Sequence, residues 1–212
     1  MKRLLDIFGS TVGLLVLWPL FLLVAVSVKI QDGGPIFFRQ LRVGRHGREF
    51  KLIKFRSMRL STGENGPSIT AEGDPRITAT GRFIRKTKID ELPQLLNVLK
   101  GEMSFVGPRP EVTRFVELYT EEQRLVLDLR PGITDLASIE FRREEQLLAS
   151  AKDPEKLYVD FCIPRKIELN LQHARRAGLF ADLVIIAKTL LPFLHRSRID
   201  TKECGSAGDR ET

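Results

Sequence analysis

The sequence predicts an α+β protein that is mainly helical, with an N-terminal re-entrant membrane helix, a β-hairpin and a compact helical domain at the membrane interface. Three observations predict this fold class. An uncharged apolar run covers residues 7–28, two apolar and basic stretches flank a glycine-rich turn within residues 35–56, and leucines at helical spacing follow Asp90. The expected organisation is a membrane helix at 1–32, a compact domain at 33–196 and a polar tail at 197–212.

The apolar run at residues 7–28 predicts the membrane element. As a helix it would reach about 33 Å, which is enough to cross the hydrocarbon core of a bilayer. Lys2 and Arg3 precede it and a series of basic residues follows from Lys29 onward, so the positive-inside rule draws both ends to the cytoplasm. Pro19 removes one helical hydrogen bond and permits a bend, which favours a re-entrant helix over a spanning one. A cleaved signal peptide is a third interpretation of the same residues.

The remainder of the chain is expected to form short helices joined by turns. A helix is predicted from near Asp90 to Gly101, because its leucines follow the helical spacing and Pro93 is tolerated only in a first turn. Residues 61–75 are polar and rich in turn formers, which predicts a mobile loop. Further helices are predicted at residues 111–127, 142–151, 154–175 and 179–194, the last of them either buried or lying in the membrane interface.

The composition favours an anionic partner. The 212 residues carry a net charge of +7, and 42% of them are hydrophobic, which describes a folded basic chain. Nucleic acid, an anionic membrane surface and a phosphorylated substrate all fit this charge. Nucleic acid is the least favoured, because aromatic residues are sparse in the basic segments and no nucleic-acid-binding motif is present. The two cysteines and three histidines show no spacing typical of a disulfide framework or a zinc site.

Adjacent carboxylates at Asp90 and Glu91 are the first candidate for chemistry. They lie where an amphipathic helix is predicted to start, and basic residues including Arg85 and Lys88 precede them. A helix N-terminus and nearby cations both favour the ionised carboxylate, which suits a nucleophile or a ligand for a hard cation such as Mg²⁺. Ordinary capping of the helix is the alternative interpretation.

Four cations lie at positions where the chain turns or a strand ends. Arg109 stands between two prolines, and Arg130 precedes a proline and a glycine, so neither fits a regular helix. Lys54 and Arg56 lie at the end of the predicted hairpin. Each of them alone could be an ordinary surface residue.

Taken in order, these segments form a signature. The motifs are KFRSM, then IDELPQLLNVLKGEMSFVGPRPE, then RPGIT, all behind an N-terminal apolar segment. The chain resembles the bacterial sugar transferase family of monotopic phosphoglycosyl transferases, from about Lys2 to Leu194. In length it resembles the small members of that family, and the central block is the most specific part of the resemblance.

The resemblance implies a function at the cytoplasmic face of the bacterial inner membrane. It implies a UDP-sugar donor, a polyprenyl (undecaprenyl) phosphate acceptor, contact with membrane lipid and Mg²⁺ as the cofactor. Asp90 matches the nucleophile of the family and Glu91 its partner carboxylate, and both are expected to serve as metal ligands. Residues 33–196 then form the catalytic domain. The residues expected to bind substrate are Lys54, Arg56, Arg85, Pro108, Arg109, Pro110 and Arg130.

The sequence departs from the family in two places, and rival functions stay open. Trp18 stands where a serine commonly precedes the proline of the membrane helix. After RPGIT many members continue with Gly-Trp-Ala-Gln, whereas residues 135–142 here are DLASIEFR, which leaves the sugar open. The rivals are a glycosyl transfer that releases UDP, a non-enzymatic protein that binds anionic lipid, and a membrane-tethered nucleic-acid binder.

Overall fold

A computed structural model describes residues 1–59, 74–176 and 178–191. The chain is mainly helical, with a long apolar N-terminal helix and a small antiparallel pair of strands, as the sequence predicts. Most of the loop predicted at 61–75 and the tail predicted at 197–212 lie outside the described residues.

The helices and strands follow one another in short units after the first helix. The helices are α1 Lys2–Asp32, α2 Ala79–Lys86, α3 Gln94–Lys100, α4 Thr113–Val116, α5 Glu121–Arg124, α6 Leu136–Glu140, α7 Glu144–Ala149, α8 Pro154–Leu157, α9 Ile163–Arg175 and α10 Leu179–Leu190. The strands are β1 Phe37–Val43, β2 Glu49–Phe55, β3 Ser104–Val106 and β4 Gly132–Thr134.

Helix α1 continues through Pro19 and ends at Gly33, whose φ of 70° gives the left-handed cap that glycine adopts without strain. By length and composition it is able to cross a membrane. One side of α1 packs on the remainder of the chain: Val24 and Val28 join Phe55 of β2 and Ile84 of α2 in a buried cluster. The opposite side is apolar and exposed.

Strands β1 and β2 form the predicted hairpin, in antiparallel register with Phe37 opposite Phe55 and Val43 opposite Glu49. Helix α3 packs on β2, and Asn97 of that helix joins the two. Its side-chain oxygen accepts the Ile53 N–H at 3.1 Å, and its amide donates to the Lys51 carbonyl at 2.9 Å. Because Asn97 is fully buried, these bonds fix the strand against the helix.

The helix predicted from Asp90 begins as a 3-10 turn at Ile89–Glu91 and becomes regular only at α3. Pro93 explains the change, since it has no N–H to donate to the Ile89 carbonyl, which instead accepts the Leu92 N–H at 3.2 Å. The predicted end is confirmed, because Gly101 caps α3 with a φ of 89°.

The single helix predicted at residues 111–127 is wrong. Two short helices, α4 and α5, occupy this region and are followed by a 3-10 turn at Leu125–Asp128. Thr120 starts α5 with a reciprocal cap in which its side chain accepts the Gln123 N–H and the Gln123 side chain accepts the Thr120 N–H. The helix predicted at 154–175 is present, with a π segment at Tyr158–Cys162 between α8 and α9. The helix predicted at 179–194 is present as α10 up to Leu190, and residues 192–194 lie outside the described residues.

Strands β3 and β4 pair in parallel and bring the two arginine turns side by side. Gly107 and Gly132 lie at the closest approach. A Cβ on Gly107 would fall 2.2 Å from the Arg130 carbonyl oxygen, and one on Gly132 would fall 2.2 Å from the Gly107 nitrogen. The glycines of GPRP and RPG are therefore needed for the two backbones to touch.

Candidate active site

The two candidate carboxylates lie on the 3-10 turn ahead of α3. Lys88 precedes this turn in the left-handed conformation, with a φ of 59°, and so redirects the chain from α2 into it. Both side chains face inward, since Asp90 is 5% exposed and Glu91 9% exposed. A solvated cap would not be enclosed in this way, so the burial favours a functional role over simple capping.

Two cations from distant segments hold Glu91. Lys54 of β2 donates to Oε1 at 2.8 Å. Arg109 donates to both carboxylate oxygens, at 2.6 Å to Oε1 and 3.2 Å to Oε2. The structure thus brings together three of the predicted residues, and the two-point geometry orients the Arg109 guanidinium against the carboxylate.

These contacts shift the pKa values of Asp90 and Glu91 in opposite directions. Burial on its own would raise the pKa of Glu91, but the charges of Arg109 and Lys54 outweigh it and hold that pKa well below its usual range. For Asp90, burial and the charge of Glu91 together raise the pKa above the ordinary aspartate value. Glu91 is therefore a fixed anion, whereas Asp90 holds its proton more tightly than an ordinary aspartate.

Asp90 also has an unpaired atom. Its Oδ1 is fully enclosed and accepts no hydrogen bond from the described part of the chain, and the same is true of the Gln94 amide nitrogen as a donor. Enclosed polar atoms without partners are rare in folded proteins and call for a bound group or solvent to satisfy them. Sequence reasoning singled out Asp90 but missed Gln94.

The other predicted substrate-binding cations, Arg85, Arg56 and Arg130, make contacts of their own outside the Glu91 cluster. Arg85 forms an ion pair with Glu145 at 2.6 Å, and its charge acts on Asp90 to oppose the rise of that pKa. Arg56 is buried and its guanidinium packs against Gly34, where an added Cβ would fall 1.8 Å from Nη1. Arg130 is half-buried and meets the other arginine turn through its backbone.

The Gly107–Pro110 turn is held from two sides. The Gly132 N–H donates to the Pro108 carbonyl at 3.0 Å. On the second side Asp135 Oδ2 accepts the Arg109 N–H at 3.3 Å and the Asn170 side-chain amide at 2.7 Å. Asp135 is the first residue of the segment that departs from the family pattern, and it also caps α6 by accepting the Ser138 N–H at 2.6 Å.

A buried polar network supports the far side of the same turn. Arg42 of β1 donates to the Pro110 carbonyl at 3.0 Å and pairs with Glu111 at 3.7 Å. Glu111 in turn accepts a short hydrogen bond from the Tyr158 hydroxyl. A small cavity opens between this network and the turn; its lining includes Pro108, Arg109, Pro110, Glu111 and Tyr119.

Residues 1–196 match the family described as bacterial sugar transferase. The chain belongs to this family. Its described site accords with that result, because the residues that meet at Glu91 come from all of the motifs KFRSM, IDEL and GPRP. As a member of the family the chain is a transferase.

Relatives of two lengths resemble this bacterial sugar transferase. The undecaprenyl-phosphate galactose phosphotransferase of Salmonella typhimurium is 44% identical over 211 residues, which cover 92% of this chain and 41% of that protein. The UDP-glucose:undecaprenyl-phosphate glucose-1-phosphate transferase of Xanthomonas campestris pv. campestris is 39% identical over 199 residues, covering 91% and 38%. The exopolysaccharide production protein ExoY of Rhizobium meliloti is 36% identical over 208 residues, covering 89% and 83%. The chain thus spans most of ExoY and about two fifths of the two longer relatives.

A Mg²⁺ ion at this site of the transferase would need ligands from a bound substrate as well as from the chain. The described residues contain no group of three or more histidine, cysteine or acidic side chains that could hold a metal by itself. Asp90 Oδ1 offers one hard oxygen, and Mg²⁺ commonly binds one or two carboxylates together with substrate phosphates. Glu91 already shares both oxygens with Lys54 and Arg109, so it would have to release one of them to join the ion.

Proposed function

We propose that this transferase moves a sugar 1-phosphate from a UDP-sugar to undecaprenyl phosphate and releases UMP. The observation that carries the proposal is the enclosed, unpaired carboxylate oxygen of Asp90 beside a glutamate fixed by two cations. The names of the Salmonella and Xanthomonas relatives, which are sugar phosphotransferases acting on undecaprenyl phosphate, support the substrate classes.

The proposed reaction has two displacements at the sugar-bearing phosphorus. In the first, the Asp90 carboxylate forms a bond to that phosphorus, the bond to the bridging oxygen breaks, and the electron pair leaves with UMP. In the second, an oxygen of the lipid phosphate attacks the same phosphorus and the bond to Asp90 breaks, which restores the carboxylate. Such a covalent route divides one transfer between two large substrates into two smaller steps at a single site.

The charged side chains of Lys54, Arg109 and Glu91 would support this chemistry without forming covalent bonds to the substrate. Glu91 orients Lys54 and Arg109, and those cations would neutralise the negative charge that builds on the diphosphate. Mg²⁺, held by Asp90 and the diphosphate with Glu91 as the second acid, would neutralise part of that charge when bound. The raised pKa of Asp90 means that binding of a cation would also help to keep this nucleophile ionised.

The turn around Arg109 is proposed to receive the nucleotide. Pro108, Arg109 and Pro110 line a small cavity together with Tyr119. The Arg109 guanidinium is a forked donor of the kind that recognises phosphate, and this supports the assignment. Arg130 lies on the paired turn and is proposed to bind the same nucleotide, and Arg85 and Arg56 are also proposed to bind substrate.

The contacts that the two halves of α1 make support the proposal that this helix is re-entrant. Ahead of Pro19, Arg3 donates to the carbonyls of Val98 and Leu99 at 2.5 and 2.8 Å, and Asp6 accepts from the Ser104 hydroxyl and the Phe105 N–H. A spanning helix would carry Arg3 and Asp6 across the bilayer and away from α3 and β3, losing all of these bonds.

Residues of α1 beyond Pro19 also contact the same domain. Phe21 meets Phe55 of β2 edge to face, with 5.2 Å between ring centres, and Val24 and Val28 are buried beside Ile84. Both flanks of the apolar run are therefore proposed to lie on the cytoplasmic side of the inner membrane, which agrees with the positive charge at each flank.

Membrane lipid is the proposed environment for the outer side of α1 and for part of α10. Large apolar side chains project outward along α1, among them Phe8, Leu15 and Leu23, which are each more than 60% exposed. On α10, Phe180 is 80% exposed while Asp182 and Ile185 face the domain. Exposed apolar area of this extent is typical of a surface that meets lipid.

The nucleotide that is released tests the function. Purified full-length protein in detergent or nanodiscs would receive undecaprenyl phosphate, Mg²⁺ and each of several UDP-sugars, with UMP and UDP separated by chromatography. Release of UMP with formation of a lipid-linked sugar diphosphate is expected. Release of UDP would instead indicate glycosyl transfer, and binding of anionic vesicles without any turnover would favour the non-enzymatic alternative.

A further inference from the structure

Gln94 is the second enclosed polar group of the site without a partner. It is 2% exposed, and its amide nitrogen donates no hydrogen bond to any described residue. A buried donor left unpaired costs about 1–3 kcal/mol, so a leucine or methionine would suit folding better at this position. The group is therefore retained for something other than the packing of α3.

The position of Gln94 relative to Asp90 indicates what it meets. Right-handed helical dihedrals continue from the 3-10 turn through Leu92 and Pro93 into α3, so Asp90 and Gln94 lie about one helical turn apart. The enclosed donor of Gln94 and the enclosed acceptor of Asp90 are both unpaired among the described residues and form no hydrogen bond with each other. A group that satisfies both must offer an acceptor to the amide and an electrophile or a cation to the carboxylate.

A phosphoryl group has this combination, because a phosphorus atom under attack by Asp90 carries non-bridging oxygens that accept hydrogen bonds. Of the cations whose charge acts on Asp90, Lys54 is engaged by Glu91 and Arg85 by Glu145. A neutral amide at Gln94 adds a donor without a further charge to desolvate.

We propose that the Gln94 amide donates to a non-bridging oxygen of the sugar-bearing phosphate and is a further catalytic residue of this transferase. The inference rests on the proposed phosphosugar transfer. The hydrogen bond strengthens as charge accumulates on that oxygen while Asp90 attacks, so it lowers the barrier more than it tightens the binding of the donor.

The test compares Gln94→Met with wild type and with Gln172→Met. Methionine keeps the length of the side chain and removes the donor. Gln172 lies on α9, where its amide already donates to Glu168 at 3.0 Å, so that variant controls for the same exchange away from the site. For Gln94→Met we expect kcat for UMP release to fall by about 10²-fold with little change in KM, and Tm to stay the same or rise. Gln172→Met should keep wild-type kcat.

A phosphorothioate donor separates direct contact from an indirect effect. Sulfur accepts hydrogen bonds poorly, so wild type should turn over one diastereomer of the β-thio UDP-sugar more slowly than the oxygen donor. In Gln94→Met the oxygen-to-sulfur ratio for that diastereomer should fall by about tenfold, and this ratio is independent of how much protein is folded.

An unchanged ratio for both diastereomers, or a kcat close to wild type, would overturn the role of Gln94. Failure of wild type to release UMP from any donor would instead overturn the proposed function itself.

Discussion

The pair formed by Lys54 and Glu91 offers a quantitative test of the site. The Lys54 ammonium lies 2.8 Å from Glu91 Oε1, and the two side chains are 18% and 11% exposed. Lys54→Met keeps the length of the side chain and removes the charge. Lys51 is on the same strand with an exposed side chain, so Lys51→Met is the matched control.

The loss of stability in Lys54→Met depends on the interactions of Glu91 that remain. A hydrogen bond to a charged group contributes about 1.5–3 kcal/mol, and breaking a buried ion pair outright costs about 3–5 kcal/mol. Arg109 would still hold the Glu91 carboxylate in Lys54→Met, and the variant no longer buries an ammonium group. We therefore expect a loss of about 2 kcal/mol, which corresponds to a fall in Tm of about 4–8 °C for a chain of this size.

A double-mutant cycle isolates the pair from other changes. Thermal unfolding would be followed by intrinsic fluorescence in one detergent for wild type, Lys54→Met, Glu91→Gln and the double variant. If Lys54 and Glu91 interact as in the structure, the fall in Tm of the double variant should be about 4–8 °C smaller than the sum of the falls in the two single variants. Additive losses would refute the pairing, and a Tm change in Lys51→Met as large as in Lys54→Met would show that any charge on β2 matters equally.

Four further predictions concern the chemistry, the turn and the membrane helix. Asp90→Asn should lose nearly all UMP release while its Tm holds, because the amide is isosteric but a poor nucleophile; wild-type turnover would remove Asp90 from its role. In Glu91→Gln the fall of the residual kcat/KM on the acid side of the pH profile should occur at lower pH than in wild type, because the charge of Glu91 helps to raise the pKa of Asp90. A fall at the same or higher pH would contradict this coupling. Asp135→Asn turns a donor towards the Arg109 N–H and the Asn170 amide and should lower Tm by about 4–8 °C for a loss of about 2 kcal/mol; an unchanged Tm would show that neither bond matters. With the native cysteines replaced by serine, a cysteine added before residue 1 and one at Arg48 should both resist an impermeant thiol reagent in intact cells and react after lysis; labelling of the first alone would establish a spanning helix.

The local elements were predictable wherever neighbouring residues decide them. The hairpin followed from alternating residues around a glycine turn, and the end of α3 followed from Gly101. The helix expected at 111–127 was wrong because periodicity extended across Thr120, whose side chain starts a new helix instead. The TEEQ pattern of that cap was readable in the sequence and would have corrected the prediction.

The candidate site was predictable as a set of residues but not as an arrangement. The motifs predicted Glu91, Lys54 and Arg109 as site residues, and in the structure Lys54 and Arg109 both contact the Glu91 carboxylate. The roles assigned to Asp90 and to the substrate-binding residues stay predictions. Asp135 was noted only as a departure from the family pattern, because its partners Arg109 and Asn170 lie 26 and 35 residues away along the chain.

By itself the sequence determined that this chain has a long apolar N-terminal helix, a basic hairpin and a paired acid at a helix start, and that it resembles a sugar transferase. Those conclusions depend on composition, short-range spacing and motif order, all of which are local properties. Only the tertiary structure decided that Arg109 and Lys54 share one carboxylate, that Asp90 and Gln94 each have an unpaired atom, and that the first residues of α1 bind α3 and β3. The physical reason is that pairing, burial and desolvation arise between segments far apart in the chain, so no window of sequence contains them.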